Sequence, residues 1–140
     1  MARIEIEMID NFVFVTELKV RMTDINLANH LGHDAFVSLM NEVRVQFLDY
    51  LGFPIPGVEE KGLIIADLAV SYKSQSFYKD RLKFEIGAGD FNKYGCDIFY
   101  RVTNTKTDDL VALAKTGVVF FDYSKNEVTN IPEAFVSHFI

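Results

Sequence analysis

A chain of 140 residues has the length of one domain and is long enough to bury a core. With 49% hydrophobic residues, thirteen of them Phe, general disorder is excluded. The formal net charge of −6 argues against nonspecific nucleic-acid binding, which needs clustered Lys and Arg, although a local basic patch would still serve a small anion. Cys96 is the only cysteine, so no intramolecular disulfide can form. Together with the lack of an apolar signal core or a membrane-length apolar run, this sets the expectation of a cytoplasmic protein with no membrane partner.

In chain order, Phe12 to Met22 alternates, with Phe12, Phe14, Leu18, Val20 and Met22 opposite Glu17, Lys19 and Arg21, which predicts a half-buried strand. A loop carrying His30 and His33 leads into one long helix, predicted over Asp34–Leu51 with Asp34 as N-cap. Its apolar residues (Phe36, Leu39, Met40, Val43, Phe47 and others) spread around so much of the circumference that burial on most sides is expected. Gly52, followed by Pro54, is suited to ending it. Pro54 to Gly62 reads as a loop, Gly62 to about Phe77 as a strand, and Tyr78-Lys-Asp80 as a turn. Alternation around Leu82–Ala88 and Ile98–Val102 predicts two further strands, separated by a turn at Lys93-Tyr-Gly95. A polar turn at Asn104–Asp109, a long strand over Leu110–Tyr123 and a short helix from Ile131-Pro-Glu133 complete the chain. The sum is a single α+β domain over 1–140, with about five antiparallel strands wrapped around the helix.

The pattern Asp24-x-Asn26-x-x-Asn29-His30-Leu31-Gly32-His33, then Phe36 and Glu42-Val-Arg44, resembles the acyl-CoA thioesterases of the hotdog fold, the group that includes 4-hydroxybenzoyl-CoA thioesterase. Tyr72, the Tyr78-Lys-Asp80 turn and the run Val111–Asp122 fit that family's later strands, so the resemblance covers nearly the whole chain. It implies the hotdog fold, an acyl-CoA or acyl-carrier thioester as partner, no cofactor beyond the substrate's own coenzyme A, and a homodimer or homotetramer with sites at the subunit interface. Two departures stand out. The second Asp of the family's Asp-x-Asp is Asn26, which cannot act as a carboxylate does, and His30-Leu-Gly-His33 replaces the usual Asn-Asn pair.

Thioester hydrolysis needs an ionised carboxylate near the carbonyl carbon and donors for the developing oxyanion. Free amides at the helix start, around Asp34 to Phe36, are the expected donors. Glu42, two turns along the helix and near where one branch of the family carries its catalytic Glu, is the expected base or nucleophile. His33, Asp34, Asn26 and Asp24 form the surrounding shell, His33 as proton donor or orienting group and Asp24 as anchor. His30 is expected to pack in the loop. His-x-x-His spacing raises a metal, but no Glu follows on a helix in the zinc-protease arrangement, so none is expected. Ser38 lacks a Gly-flanked elbow, and Cys96 reads as an inert small side chain. Lys73, Lys79, Arg81, Arg101 and Lys115 are possible partners for coenzyme A phosphates, each otherwise an ordinary surface cation.

The function expected is hydrolysis of an acyl-CoA thioester. A hydratase or dehydratase would instead turn over enoyl-type thioesters without releasing thiol. A ligand-binding protein, with Asn26 marking lost hydrolysis, would be stabilised by acyl-CoA without turnover.

Overall fold

The computed structural model describes residues 1–54, 57–59 and 61–140, so positions 55, 56 and 60 of the expected Pro54–Gly62 loop lie outside the described residues. The elements are β1 (Phe14–Lys19), a 3-10 turn (Met22–Asp24), α1 (His33–Tyr50), β2 (Gly62–Tyr72), β3 (Arg81–Gly89), β4 (Gly95–Asn104), β5 (Leu110–Asp122), β6 (Glu127–Val128) and α2 (Glu133–Val136). The five long strands pair antiparallel in the order β1-β3-β4-β5-β2, and the two-residue β6 joins β5 beyond the end of β4. Short turns account for the β3·β4 and β4·β5 pairings, but β2 and β3, although consecutive in the chain, are not neighbours: β2 pairs with β5 and β3 with β1. The sheet packs its inner face on α1, as the resemblance implies.

That inner face alternates as the sequence predicts. Leu82, Phe84 and Ile86 on β3, and Ile98, Tyr100 and Val102 on β4, are all fully buried. Against them α1 turns Phe36, Leu39, Met40, Val43 and Phe47. The Phe36 ring stacks on Phe84 at 6.1 Å between centroids. Phe135 of α2 meets Phe120 at 5.3 Å and closes the opposite end of the core.

Four boundaries differ from expectation, each for a local reason. The first strand is shorter than Phe12–Met22 because the Asp24 carboxylate takes the Arg21 backbone N–H at 2.8 Å and turns the chain. Met22 thus leaves the buried face and is 61% exposed. β2 stops at Tyr72 because the amides of Lys73 and Ser74 both converge on the Val111 carbonyl, at 2.8 and 3.2 Å. The N-cap of α1 is Gly32, not Asp34: Gly32 C=O accepts the Phe36 N–H at 2.9 Å, which places Asp34 inside the first turn. At the other end Leu51 is the C-cap, and the left-handed Gly52 (φ 93°) lets Phe53 N–H reach Leu48 C=O at 2.8 Å.

Burial of α1 on most sides is also corrected. Asn41, Glu42, Val45, Asp49 and Tyr50 are exposed, because one sheet covers only the helix face turned toward it.

Candidate functional site

The site begins with the loop that feeds α1. Ile25 and Leu31 form a β-bridge that closes it, and Asn26 N–H bonds His30 C=O at 3.0 Å. The Asn26 side-chain oxygen accepts from Ala28 N–H at 3.0 Å and His30 N–H at 3.4 Å, an Asx-type turn that holds the loop tip. Asn29 takes the left-handed conformation (φ 65°) that Asn tolerates better than most residues. Leu31 N–H then bonds Ser76 C=O at 2.8 Å, which ties the loop to the segment following β2.

Between these two segments lies a cleft of about 200 Å³. Asn26, His30 and His33 line one side, Ser74, Gln75 and Ser76 the other, with Leu31, Phe36, Tyr72 and Val111 as its apolar floor and walls. Tyr72 crosses from edge strand β2 to the start of α1, with its ring edge-on to Phe36 at 5.4 Å and its hydroxyl donating to His33 C=O at 3.3 Å. Burial, then the Asp34 charge, push the Tyr72 phenol above its ordinary pKa, so it stays a donor.

Helix α1 opens at this cleft. Gly32 N–H is used by Asp24 C=O at 3.0 Å and Phe36 N–H by Gly32. Among the described residues, the amides of His33, Asp34 and Ala35 have no protein acceptor. The free donors are therefore His33–Ala35, one residue earlier than expected, and Phe36 is not among them. The Asp34 carboxylate leans over Gly32, where an added Cβ would lie 2.7 Å from its Oδ1.

Asp24 is buried, and its carboxylate is taken up by Arg21 through the backbone amide, Nε at 3.2 Å and Nη2 at 3.0 Å. Burial alone would raise its pKa, but the Arg21 bonds and charge outweigh it and hold the group below the ordinary carboxylate range. Glu42 is exposed and accepts from Gln46 Nε2 at 2.7 Å; Gln46 in turn accepts from Thr16 of β1 at 2.7 Å. Eight residues of helix separate Glu42 from Asp34, about 12 Å of rise. Within one chain, then, His33 and Asn26 line the cleft and Asp34 stands beside it, over Gly32 and near Tyr72, while Asp24 faces Arg21 and Glu42 lies on another part of the helix.

The sequence reading missed Ser76. Its hydroxyl is 2% exposed as a residue and has no hydrogen-bond partner among the described residues. His30, assigned to packing, also lines the cleft, with Nδ1 3.3 Å from Leu31 C=O. The only signal for Ser76 was the polar run Ser74-Gln-Ser76 at the end of an apolar strand. Ser38 is exposed on α1, and no group of three His, Cys, Asp or Glu able to hold a metal is found among the described residues. Buried Cys96 has its thiol pushed up to about 12, mainly by loss of water, which makes it unreactive.

An antiparallel sheet wrapped on one central helix, with its cleft at the helix start, is the hotdog fold. The model of the thioesterase-like superfamily matches residues 20–139, and the chain belongs to that family. Solved structures with the same fold include a 1,4-dihydroxy-2-naphthoyl-CoA thioesterase from Synechocystis, 16% identical, with a TM-score of 0.79 over 89% of this chain and 93% of that one. A gentisyl-coenzyme A thioesterase is 18% identical, with a TM-score of 0.78 over 87% of this chain and 98% of that one. A Staphylococcus aureus protein solved in complex with CoA is 16% identical, with a TM-score of 0.81 over 95% of this chain and 84% of that one. No curated protein matches the chain.

Proposed function

We propose that the protein hydrolyses an acyl-CoA thioester to the free acid and CoA at the cleft where α1 begins. The observation that carries this reading is the helix start itself. Three amides without acceptors, those of His33, Asp34 and Ala35, open beside the Asp34 carboxylate, and His33 lines the cleft together with Ser76, whose hydroxyl has no partner among the described residues. Such donors, aided by the helix dipole, suit a carbonyl oxygen that gains negative charge. Water adds to the carbonyl carbon as its proton passes to Asp34, the C–S bond breaks, and the departing thiolate takes a proton from His33. Asn26 shapes the loop and keeps its Nδ2 group available for the water or the thioester oxygen; Asp24 anchors the loop through Arg21.

Glu42 enters this scheme only through a second copy of the chain, because its own cleft lies too far along the helix. Edge strand β2 supports such pairing: Ile64, Ile65, Leu68 and Tyr72 are 37–44% exposed along an edge without a neighbouring strand. A long apolar edge of that kind is an aggregation hazard unless it is paired. The reading is therefore a homodimer at least.

The test compares Asp34→Asn with Glu42→Gln in steady-state hydrolysis. Asp34→Asn is expected to lower kcat by roughly 10²–10⁴-fold with little change in folding, as loss of a general base does. The opposite order, with Glu42→Gln the more damaging, would give the carboxylate role to Glu42 of a second copy. Asn26 favours one other reading, a binding protein that has lost hydrolysis, which predicts stabilisation by acyl-CoA without any turnover.

A further inference from the structure

We propose that the groove formed by the end of β1, the Tyr78–Arg81 turn and the β4–β5 turn is a phosphate site for the nucleotide end of coenzyme A. The identity of the ligand rests on the thioesterase reading; the charge of the groove stands on its own geometry. Three separate segments bring Lys19, Lys79, Arg81 and Lys106 around a groove of about 400 Å³. None of the four has a carboxylate partner among the described residues. Arg101 and Lys115 are occupied, Arg101 by Glu85 at 2.9 Å and Lys115 by Asp67 at 2.8 Å and Asp97 at 3.1 Å, and Lys73 does not line the groove.

Asp80 is the one carboxylate in the groove's lining, and it is committed to the turn. Its Oδ2 accepts from Phe77 N–H at 2.9 Å and Asn104 Nδ2 at 3.2 Å. Lys79 is held in a left-handed conformation (φ 74°) with its N–H on Val20 C=O at 3.0 Å, so the turn is fixed from both sides. Lys19 and Arg81 stand directly opposite each other in the β1·β3 pairing, whereas the adjoining pair on the same face, Glu17 and Lys83, is complementary. Like charges directly opposite destabilise a sheet, and a bound anion relieves that cost. This happens on a chain of net charge −6, so the cluster does not reflect general basicity. Charges farther away than about 8–10 Å are largely screened at physiological salt, which leaves the local cations in control.

The groove also lies where the cleft needs it. Ser76 lines the cleft and Lys79 lines the groove, three residues apart and hence at most roughly 10 Å along the chain. An acyl thioester in the cleft would lead its pantetheine arm, in a bent conformation, toward this groove, with the diphosphate and 3′-phosphate at its far end.

The test is calorimetric titration of adenosine 3′,5′-bisphosphate, which has neither acyl group nor pantetheine. Three proteins are compared: wild type, Lys79→Ala/Arg81→Ala, and a control with the same charge change at the opposite end of the sheet, Lys93→Ala/Lys125→Ala. Binding to wild type and control is expected, weaker at high salt, with at least about a tenfold loss in the groove variant. Lys19→Glu, which changes one exposed side chain, should show the same loss. No binding to wild type, or equal binding to all proteins, would overturn the proposal, as would displacement of the nucleotide by inorganic phosphate at equal concentration. Kinetics separate the two claims. Loss of the preference for acyl-CoA over the matching acyl-pantetheine in the groove variant supports the site, and an unchanged preference overturns it with hydrolysis intact. Nucleotide binding without cleavage of any thioester would leave the groove standing and remove the thioesterase reading.

Discussion

At the scale of single residues, two positions carry the sharpest expectations. Ser76 presents a buried hydroxyl that bonds nothing in the described protein. Its replacement by Ala removes no intramolecular bond, so stability should change by less than about 0.5 kcal/mol or rise slightly. Turnover should nevertheless fall about tenfold if the hydroxyl meets the thioester, as loss of one hydrogen bond predicts. Thermal melting and kcat/KM on the same preparation check both halves. Asn26 accepts two loop amides through its Oδ1, and a carboxylate can accept the same bonds. Asn26→Asp should therefore fold as wild type and raise hydrolysis by supplying a second ionised group at the cleft. A loss of turnover in the folded variant would tie activity to the amide nitrogen instead. These roles were only partly legible in sequence. Asp24, Asn26, His33 and Asp34 stood out by residue type and spacing, but Ser76 is brought to them by the Leu31–Ser76 contact, which no local pattern encodes.

At the scale of elements, the sequence was most legible where periodicity is long. Alternation in β3 and β4 placed the right residues inward, because a two-residue repeat leaves little freedom once one face is buried. Helix α1 was found almost in full, but its N-cap was misplaced by two residues. Gly32 offers no side-chain cap, and Asp34 has the residue type expected at one, so local chemistry favoured the wrong position. That displacement changes which amides are free. Its burial was overread for a different reason: exposed Val45 and Tyr50 are apolar by type, and only the tertiary arrangement shows that the sheet does not reach them. Two variants test the helix as a unit. Phe47→Ala, at a fully buried side chain, should cost about 3–5 kcal/mol in chemical denaturation. Gly32→Ala should displace the Asp34 carboxylate, lowering kcat more than it lowers the melting temperature, since the atom it meets belongs to a side chain that can move.

For the molecule as a whole, charge and assembly set the expectations. Lys115 holds Asp67, Arg101 holds Glu85, Arg21 offsets the burial of Asp24, and the Ser124 hydroxyl with Lys61 holds Asp122, each below the ordinary carboxylate range. Asp97 is shifted the other way, by burial first, despite Lys115. A carboxylate depressed in the native state adds stability above its unfolded pKa of about 4 and loses it as pH falls toward the native value. Asp97 acts in the opposite sense, but four groups oppose one. The melting temperature should therefore decline as pH drops below about 4, in a scan at fixed salt. Assembly is tested through the edge of β2: Ile65→Lys/Leu68→Lys should lower the oligomeric state in light scattering while leaving the sheet folded, because both side chains are exposed in the single chain. The family's fold was legible across nearly the whole chain, whereas the expectation of an oligomer rested on the resemblance, since an unpaired apolar edge is a property of the finished sheet.

The most direct test of the central claim is free-thiol release from short, long and aromatic acyl-CoAs by the wild-type protein. Cys96, buried with its thiol pushed up to about 12, should contribute no signal of its own while the protein is folded. Catalysed thiol release from at least one member of the panel is the predicted result. A folded protein that binds these acyl-CoAs and releases no thiol from any of them would contradict the account.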